Sequence, residues 1–446
     1  MKIKHIHFLG IGGISMSALA KLAHSKKIKV TGTDDADSTE LQELQSYGIQ
    51  TALHSDPQSI KDSDLIVYTS PTQNHKDLNL AKNLNKRIIE RAEFLGKIAK
   101  TYKTSIAIAG THGKSTTTAL LVHILTTAKL NPTAHIGAKS QKTNSNLKLG
   151  GGEYFITEAC EYNKSFLHLT PTYSIITNIE ADHLDTYKDL NEIQQAFKQF
   201  ADQTKTKVII CTDNLNSNLF TGEKFFTYGL NPNNDLYASN LICNKGKFQF
   251  DCIYKEKCLC TIQNSLLGKH NVQNALASIA ISLMLNIPIY YIRKGIETFQ
   301  GIARRMNILT TTPATHIIDY AHHPTEIQHT LSTLRAVNFK RIIAIFQPHT
   351  YTRTKFLMQQ FSTAFTDSDY LYVLPTYPAR EKYQPGGDAT DLVLNIKNTN
   401  CTYISNYQAL KFHLDAQTTP NTCFVWLGAG DIDKIAQIYT QIPPKP

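Results

Sequence analysis

A chain of 446 residues is longer than one ordinary hydrophobic core accommodates, so two to four domains are expected. An apolar fraction of 41% and a charged fraction of 18% are those of a soluble globular protein, and no run of about 20 apolar residues offers a membrane span. The formal charge of +10 suits anionic ligands such as nucleotides, whereas the dispersed basic residues, without a cluster or an aromatic-interleaved stripe, argue against nucleic acid.

The first stretch, MKIKHIHFLGIGGISMSALA, has a basic start and a short apolar run, but Gly10, Gly12 and Gly13 interrupt it. The strand-like IKVTGTD also follows at the distance of a βαβ unit, so a cytoplasmic protein rather than a secreted one is expected. The eight cysteines form no CxxC pair, and Cys258–Leu259–Cys260 has no partner cluster, which fits free thiols in a reducing compartment.

Residues 1–100 alternate strand and helix patterns. HIHFLGI (5–11), Lys27–Thr33 and DLIVYTS (64–70) read as strands; Ser15–His24, Glu40–Tyr47 and RAEFLGKIAKTY (91–102) read as helices. A small parallel sheet covered by helices follows from that order. A second unit opens at TSIAIAG (104–110) and continues through YFITEA (154–159), YSIITNI (173–179) and KVIICT (207–212). Residues 220–265 change to short β-type runs with Asn, Lys and Gly turns and read as an antiparallel insertion or flank; NVQNALASIAISLML (271–285) then restores a helix. A third unit begins near Ala303, where THIIDYA, RIIAIFQP, YLYVLPTY and CFVWLGAGD look like parallel strands. Their polar or glycine ends are where open α/β sheets bind ligands.

Four stretches carry chemistry. In AIAGTHGKSTTTALLVHILTTA (107–128), an apolar strand leads through a glycine turn to Lys114, Ser115 and a helix starting near Thr116. Backbone N–H groups there cradle phosphates, the lysine neutralises charge and the hydroxyl can ligate Mg²⁺. Ile108 stands where the standard pattern has its first glycine and Gly110 supplies one later, so the loop is short. In FLGIGGISMSALA, Gly10, Gly12 and Gly13 allow a phosphate to approach, but Ser15 replaces the third glycine of a dinucleotide fingerprint. An unliganded tight turn and a nicotinamide site both remain open on that pattern, and Asp34 either meets a ribose or caps the next helix. Glu158 and Glu161 in TEACEYNKSF, and Asp182, His183 and Asp185 in NIEADHLDTY, follow strands; singly they suit caps, together they fit a Mg²⁺ site. Finally, DYAHHPTEI gathers Asp319, Tyr320, His322 and His323, and QPHTYTRT adds Arg353, whose fork suits a carboxylate or merely begins a helix. Adjacent histidine side chains diverge, which weighs against one metal held by that pair.

In order along the chain, HFLGIGGISMSALA, GTHGKSTTTAL, EACEYNKSFLHL, TNIEADHLDTY, GKHNVQNALASIA, ARRMNI, DYAHHPTEI, FQPHTYTRT and GAGDI resemble the Mur ligases, which make amide bonds for the bacterial cell wall. Within that family they are most similar to the branch that adds L-alanine to UDP-N-acetylmuramate. The resemblance implies an α/β chain of three domains: a Rossmann-like UDP-sugar-binding domain over 1–103, a P-loop ATP-binding domain with an antiparallel β portion over 104–302, and a Rossmann-like amino-acid-binding domain over 303–446. It implies ATP and Mg²⁺ as cofactors, UDP-N-acetylmuramate and L-alanine as substrates, an acyl phosphate intermediate, no membrane insertion, and a monomer or weak homodimer. By position, Gly10, Gly12, Gly13, Asp34 and Ser70 are expected on the UDP-sugar. Gly110, Thr111, His112, Gly113, Lys114, Ser115 and Thr116, with His270, Asn271, Asn274, Arg305 and Asp319, are expected on ATP. Ser115 and Glu158 would hold one Mg²⁺ and His183 a second; Tyr320, His322 and Arg353 would meet L-alanine, with Lys114, His183, His322 and Arg353 carrying catalysis.

The chain departs from the family pattern at Ser115 (commonly threonine), Cys160 (aspartate), Ala321 (glycine) and Thr350 (often arginine), the last leaving more of the carboxylate to Arg353. Lys198 falls near the spacing of a carbamylated lysine in sister ligases and reads here as an ordinary helix residue. The competing readings are a recycling ligase that attaches a tripeptide, a nicotinamide-dependent dehydrogenase, and a non-catalytic nucleotide-binding regulator.

Overall fold

The computed structural model describes residues 3–138, 145–213, 219–379 and 381–441. Three sheets follow one another along the chain, of five, ten and six strands. The first contains β1 (His5–Leu9), β2 (Lys29–Asp34), β3 (Gln50–Leu53), β4 (Leu65–Tyr68) and β5 (Arg87–Glu90), ordered β3-β2-β1-β4-β5 and parallel throughout. Every residue of central β1 is buried, and its two histidines share one hydroxyl: Thr31 Oγ1 lies 2.9 Å from His5 Nε2 and 2.8 Å from His7 Nδ1, while His7 Nε2 has no hydrogen-bond partner. The strand order reverses between β1 and β4, and the glycine turn after β1 opens there, where doubly wound sheets take ligands.

The second sheet comprises β6 (Thr104–Ala109), β7 (Thr133–His135), β8 (Leu147–Lys148), β9 (Tyr154–Glu158), β10 (Tyr173–Ile176), β11 (Lys207–Cys211), β12 (Phe225–Gly229), β13 (Leu236–Asn244), β14 (Lys247–Tyr254) and β15 (Lys257–Leu267). Its order is β15-β14-β13-β12-β11-β10-β6-β9-β7-β8. Of the two readings of the 220–265 segment, the flank holds and the insertion does not: its strands extend one side of this sheet. β12 runs parallel to β11, and only β13–β15 form an antiparallel meander that lengthens the same sheet. Its turns have positive φ at both central residues, Lys245–Gly246 and Lys255–Glu256, the twist that tight hairpins require.

The third sheet holds β16 (Asn307–Thr310), β17 (Thr315–Asp319), β18 (Arg341–Phe346), β19 (Tyr370–Val373), β20 (Cys401–Tyr403) and β21 (Thr422–Leu427), ordered β16-β17-β21-β18-β19-β20. The four strands expected from sequence are parallel, and β16 adds an antiparallel edge.

Packing joins the first two units. One core runs from Phe8, Phe94 and Leu95 to Phe166, Phe197 and Phe200 on one face of the second sheet. Gly96, on the helix Arg91–Ala99, sits against His168, whose carbonyl oxygen would be 2.2 Å from an added Cβ. The other face of the second sheet is covered by the helices Lys114–Thr127, His270–Met284 and Ile289–Thr298. Among the described residues no helix is long and apolar enough to cross a membrane, and all eight cysteines are free. Lys198 is half-exposed and pairs with Asp202 at 3.8 Å, one turn along its helix.

Candidate active site

The phosphate-cradling turn forms where β6 gives way to the helix Lys114–Thr127. Gly113 is left-handed (φ 82°) as that helix begins, and a Cβ there would lie 2.6 Å from Asn274 Oδ1, so both dihedral and space require glycine. The turn is pinned from two sides. His112 N donates to Asn178 Oδ1 at 2.8 Å and Thr177 Oγ1 donates to the His112 carbonyl at 2.6 Å. Thr117 Oγ1 donates to Asn274 Oδ1 at 3.1 Å, and Asn274 in turn donates to Asn271 Oδ1 at 2.8 Å. Asn271 and Asn274 thus brace the turn from the helix His270–Met284.

Lys114 curls back over the turn, donating to the Gly110 carbonyl, to the Thr111 carbonyl at 3.1 Å and to Glu161 Oε1 at 2.9 Å. Burial opposes its charge, but the Glu161 carboxylate prevails and keeps its pKa above the usual lysine value. Parallel pairing of β6 with β9 brings Glu158 level with Ile108. There its carboxylate accepts from Gly137 N and from Ser115; burial pushes its pKa up. Glu161 Oε2 is buried without a hydrogen-bond partner. His183, in a left-handed conformation (φ 54°), brings Nε2 to 3.8 Å from Glu161 Oε1 and 3.6 Å from Asp182 Oδ2.

The polar strand ends of the third sheet meet this centre. Arg353 donates from Nε to Asp182 Oδ1 at 3.0 Å and from Nη2 to Asp182 Oδ2 at 3.3 Å, while its Nη1 donates to the His349 carbonyl at 3.1 Å. Although burial alone would raise Asp182, the guanidinium holds it well below the usual carboxylate range. Glu326 joins three partners: Arg305 Nη1 at 3.0 Å, His112 Nδ1 at 3.4 Å and His322 Nδ1 at 3.3 Å. His112 Nε2 faces Glu180 Oε2 at 3.5 Å. His322 Nδ1 lies 2.9 Å from the Tyr320 carbonyl, to which it must donate, so its Nε2 carries the lone pair. Burial lowers the His322 pKa to about 3, leaving the ring neutral. His323 turns the other way, placing Nδ1 3.9 Å from Glu180 Oε2. Asp319 accepts from Met306 N at 2.9 Å and Ala321 N at 2.8 Å; burial raises it to about 6.

Two cavities of about 410 Å³ each open onto this seam. One is bordered by His112, Gly113, Thr116, His270, Asn271, Asn274, Arg305 and Asp319, eight of the residues expected on ATP. Burial lowers His270 to about 3, so its ring is neutral, and it stacks on His329. The second is bordered by Asp182, His183, His349, Thr350, Phe356, Arg353 and Tyr377. Thr350 holds φ 70° and its hydroxyl accepts from Arg353 N at 3.4 Å, so the residue that replaces an expected arginine starts Arg353's helix. Tyr320 borders neither cavity; its ring lies under the guanidinium groups of Arg304 and Arg305, at 4.8 and 5.2 Å.

The glycine turn of the first sheet lies apart from the phosphate turn and connects to the second sheet at β7. Asp34 Oδ2 accepts from Gly12 N at 2.8 Å, and Ser38, not Asp34, caps the next helix. The turn begins the helix Ile14–Ser25 without a side-chain cap, an arrangement suited to an anion. Ser15 Oγ sits 3.0 Å from His135 Nε2 on β7 and accepts from Arg91 Nη1 at 3.2 Å. Ser70 Oγ donates to Glu90 Oε1 at 3.3 Å.

Sequence reasoning named neither Glu180 nor Glu326 as a site residue. Glu326 left a local signal, lying one helical turn after His322 at the start of the helix Pro324–Val337. Glu180 left none, because its partners His112, His323 and Thr325 come from distant segments.

A P-loop beside a half-buried carboxylate–hydroxyl pair, faced by an arginine and histidines from a second α/β unit, defines a nucleotide-dependent enzyme that brings an acceptor to a phosphate. The chain belongs to the Mur ligase family: residues 5–103 match the Mur ligase family catalytic domain, 108–282 the Mur ligase middle domain, and 304–430 the Mur ligase glutamate ligase domain. It is 41% identical, over 98% of each chain, to UDP-N-acetylmuramate–L-alanine ligase of Clostridium tetani. To the enzyme of that name in Acetivibrio thermocellus it is 37% identical over 98% of this chain and 96% of that one. Among solved structures it resembles UDP-N-acetylmuramate-alanine ligase MurC of Thermotoga maritima, with a TM-score of 0.82 and 26% identity over 99% of both chains. The murein peptide ligase of Psychrobacter arcticus shares the fold, with a TM-score of 0.70 and 23% identity over 98% of both.

Proposed function

We infer that this enzyme joins L-alanine to the lactyl carboxylate of UDP-N-acetylmuramate, with cleavage of ATP to ADP and phosphate, as a step in making peptidoglycan precursors. The observation that carries the reading is the 41% identity, over 98% of each chain, to a ligase of that name. The site supplies the chemistry. ATP fits the cavity beside His270, Asn271 and Asn274, with its phosphates on the Gly110–Thr116 turn and its ribose toward Asp319. The UDP-sugar diphosphate fits the uncapped helix start at Gly10, Gly12 and Gly13.

Mg²⁺ matches the oxygen donors: the Ser115 hydroxyl and the Glu158 carboxylate touch, and Glu161 Oε2 is an unpartnered buried oxygen close to His183. Bound at Ser115 and Glu158, and a second time near His183, Mg²⁺ would neutralise charge on the phosphate oxygens. Lys114 contributes a further fixed positive charge where phosphate is transferred to the substrate carboxylate, giving an acyl phosphate. Arg353 faces the alanine side of the seam, where it orients the amino-acid carboxylate; Tyr320, packed under Arg304 and Arg305, reaches that side only through its ring contact with His322 at 5.3 Å. The His322 Nε2 lone pair accepts a hydrogen bond from the alanine amine and directs its lone pair at the acyl carbon. Attack there passes through a tetrahedral intermediate and expels phosphate, and the proton lost by the amine leaves on it as hydrogen phosphate. Contact of the third unit across Asp182 and Glu180 keeps water from the acyl phosphate. Since the ATP and sugar-nucleotide substrates are intracellular, we place the reaction in the cytoplasm.

Phosphate release measured with each component omitted tests this reading. Release that requires UDP-N-acetylmuramate and L-alanine together supports it. Release that requires the tripeptide instead assigns a recycling reaction, and no release with either acceptor sinks the ligase.

A further inference from the structure

Three metal-ligand side chains meet where the second and third units touch. His112 comes from the phosphate turn, Glu180 from the segment after β10, and His323 from the start of the helix Pro324–Val337; one ligand atom of each lies within 4.8 Å of the others. Glu180 Oε2 is 3.5 Å from His112 Nε2 and 3.9 Å from His323 Nδ1. Ligand atoms around a tetrahedral zinc ion are about 3.4 Å apart, so the Glu180–His112 edge already matches, and the other edges, up to 4.8 Å, close when an ion binds.

Further observations point to a cation here. His112 Nε2 is buried with no hydrogen-bond partner and is aimed at Glu180. The other ring nitrogen faces Glu326 Oε1 at 3.4 Å, the carboxylate–histidine pairing that presents the opposite lone pair to a metal. Thr325 Oγ1 donates to Glu180 Oε2 at 2.7 Å and fixes that carboxylate. His323 Nδ1 lies 3.9 Å from Glu180 Oε2 and accepts a long hydrogen bond from Thr325 N, 3.3 Å, which an ion on the Glu180 side would have to displace. His112 and Glu180 also border the nucleotide-side cavity, which gives an ion an entry path and an open fourth position.

We propose that His112, Glu180 and His323 form a two-histidine, one-carboxylate site for Zn²⁺ or a similar transition-metal ion, bridging the central and C-terminal units. It is distinct from the all-oxygen pair Ser115 and Glu158, which suits a harder cation. The ion replaces the proton of His112 as the positive charge between Glu180 and Glu326. Because its ligands come from two units, it clamps them together and slows the opening that turnover needs. Zinc binding is measured without substrates, so the ligase reading and this one fail separately.

The test is equilibrium dialysis of metal-free full-length enzyme against Zn²⁺ in excess Mg²⁺, repeated for Glu180→Gln, His323→Gln and Glu158→Gln, each checked for folding by circular dichroism. Retention of one Zn²⁺ per chain is expected, weakened at least about 10-fold in Glu180→Gln and His323→Gln but kept in Glu158→Gln. Co²⁺ should give the intense visible absorption of a tetrahedral site in the wild type and in Glu158→Gln, and not in Glu180→Gln or His323→Gln. Equal retention in wild type, Glu180→Gln and His323→Gln would place zinc elsewhere, as at Cys258 and Cys260, and overturn the proposal. So would no retention at all.

Discussion

His112 offers a pH-resolved test of the contact between the second and third units. Its side chain is 12% exposed, between the carboxylates of Glu180 and Glu326. Burial disfavours the imidazolium, but the Glu326 and Glu180 charges outweigh it and raise the pKa from 6.5 to about 9. A shift of that size corresponds to about 3 kcal/mol favouring the charged form in the folded protein. Since the folded value lies above the unfolded one, the stabilisation is complete below about pH 6.5 and is lost as pH rises through about 9. His112→Gln abolishes it at every pH. Denaturant unfolding of both proteins between roughly pH 6 and pH 10, in low salt, should show the variant less stable by up to about 3 kcal/mol at the acidic end. The gap should narrow toward alkaline pH. A gap that stays constant across the range would refute the ion-pair reasoning, because only the charge on His112 makes it depend on pH.

Other substitutions probe the rest of the site. Glu158→Gln keeps the shape of the side chain but removes a charge, so phosphate release should fall by about 100-fold or more and its dependence on Mg²⁺ should weaken; unchanged turnover would remove Glu158 from the metal site. Arg353→Ala should raise the KM for L-alanine about 10- to 100-fold with little change for ATP, and an equal effect on both would mean Arg353 does not hold the amino-acid carboxylate. The same variant strands buried Asp182, at a cost of about 3–5 kcal/mol in stability. With its pKa near 3, His322 stays neutral throughout the assay range, so the inflections of the wild-type rate profile between roughly pH 6 and pH 9 should persist in His322→Gln. Gly96→Ala should cost about 1–3 kcal/mol in thermal or denaturant unfolding, because the new Cβ would press on the His168 carbonyl at 2.2 Å.

Much of the fold was legible because its central strands are buried on both faces and read as apolar runs. HIHFL, TSIAIA and RIIAIF all became strands with ends within a few residues of those expected. The short edge strands were not: Gln50–Leu53 is half-exposed and shows no alternation that a sequence pattern could reveal. The 220–265 stretch was β-rich as expected, but which strand paired with which depended on contacts far apart in sequence, and β12 proved parallel. At the site, the turn that carries Lys114 and Ser115 was legible from its own spacing, and Glu158 was legible as a carboxylate at a strand end. Asp34 was read as a ribose contact or a helix cap; Ser38 takes the cap, and the Asp34 carboxylate also holds Gly12 N across 22 positions, a bond that local spacing did not reveal. The carboxylates that set the charge on His112 were missed, because Glu180 and Glu326 reach it across 68 and more positions of chain, a distance no local pattern spans.

The measurement closest to the central claim follows an oxygen atom. UDP-N-acetylmuramate labelled with ¹⁸O in both oxygens of its lactyl carboxylate is turned over with ATP, Mg²⁺ and L-alanine, and the released phosphate is analysed by mass spectrometry. If the carboxylate is phosphorylated before the amine attacks, each phosphate carries one ¹⁸O and the new amide keeps the other. Unlabelled phosphate would contradict the acyl phosphate and with it the roles given to Lys114, Ser115 and Glu158.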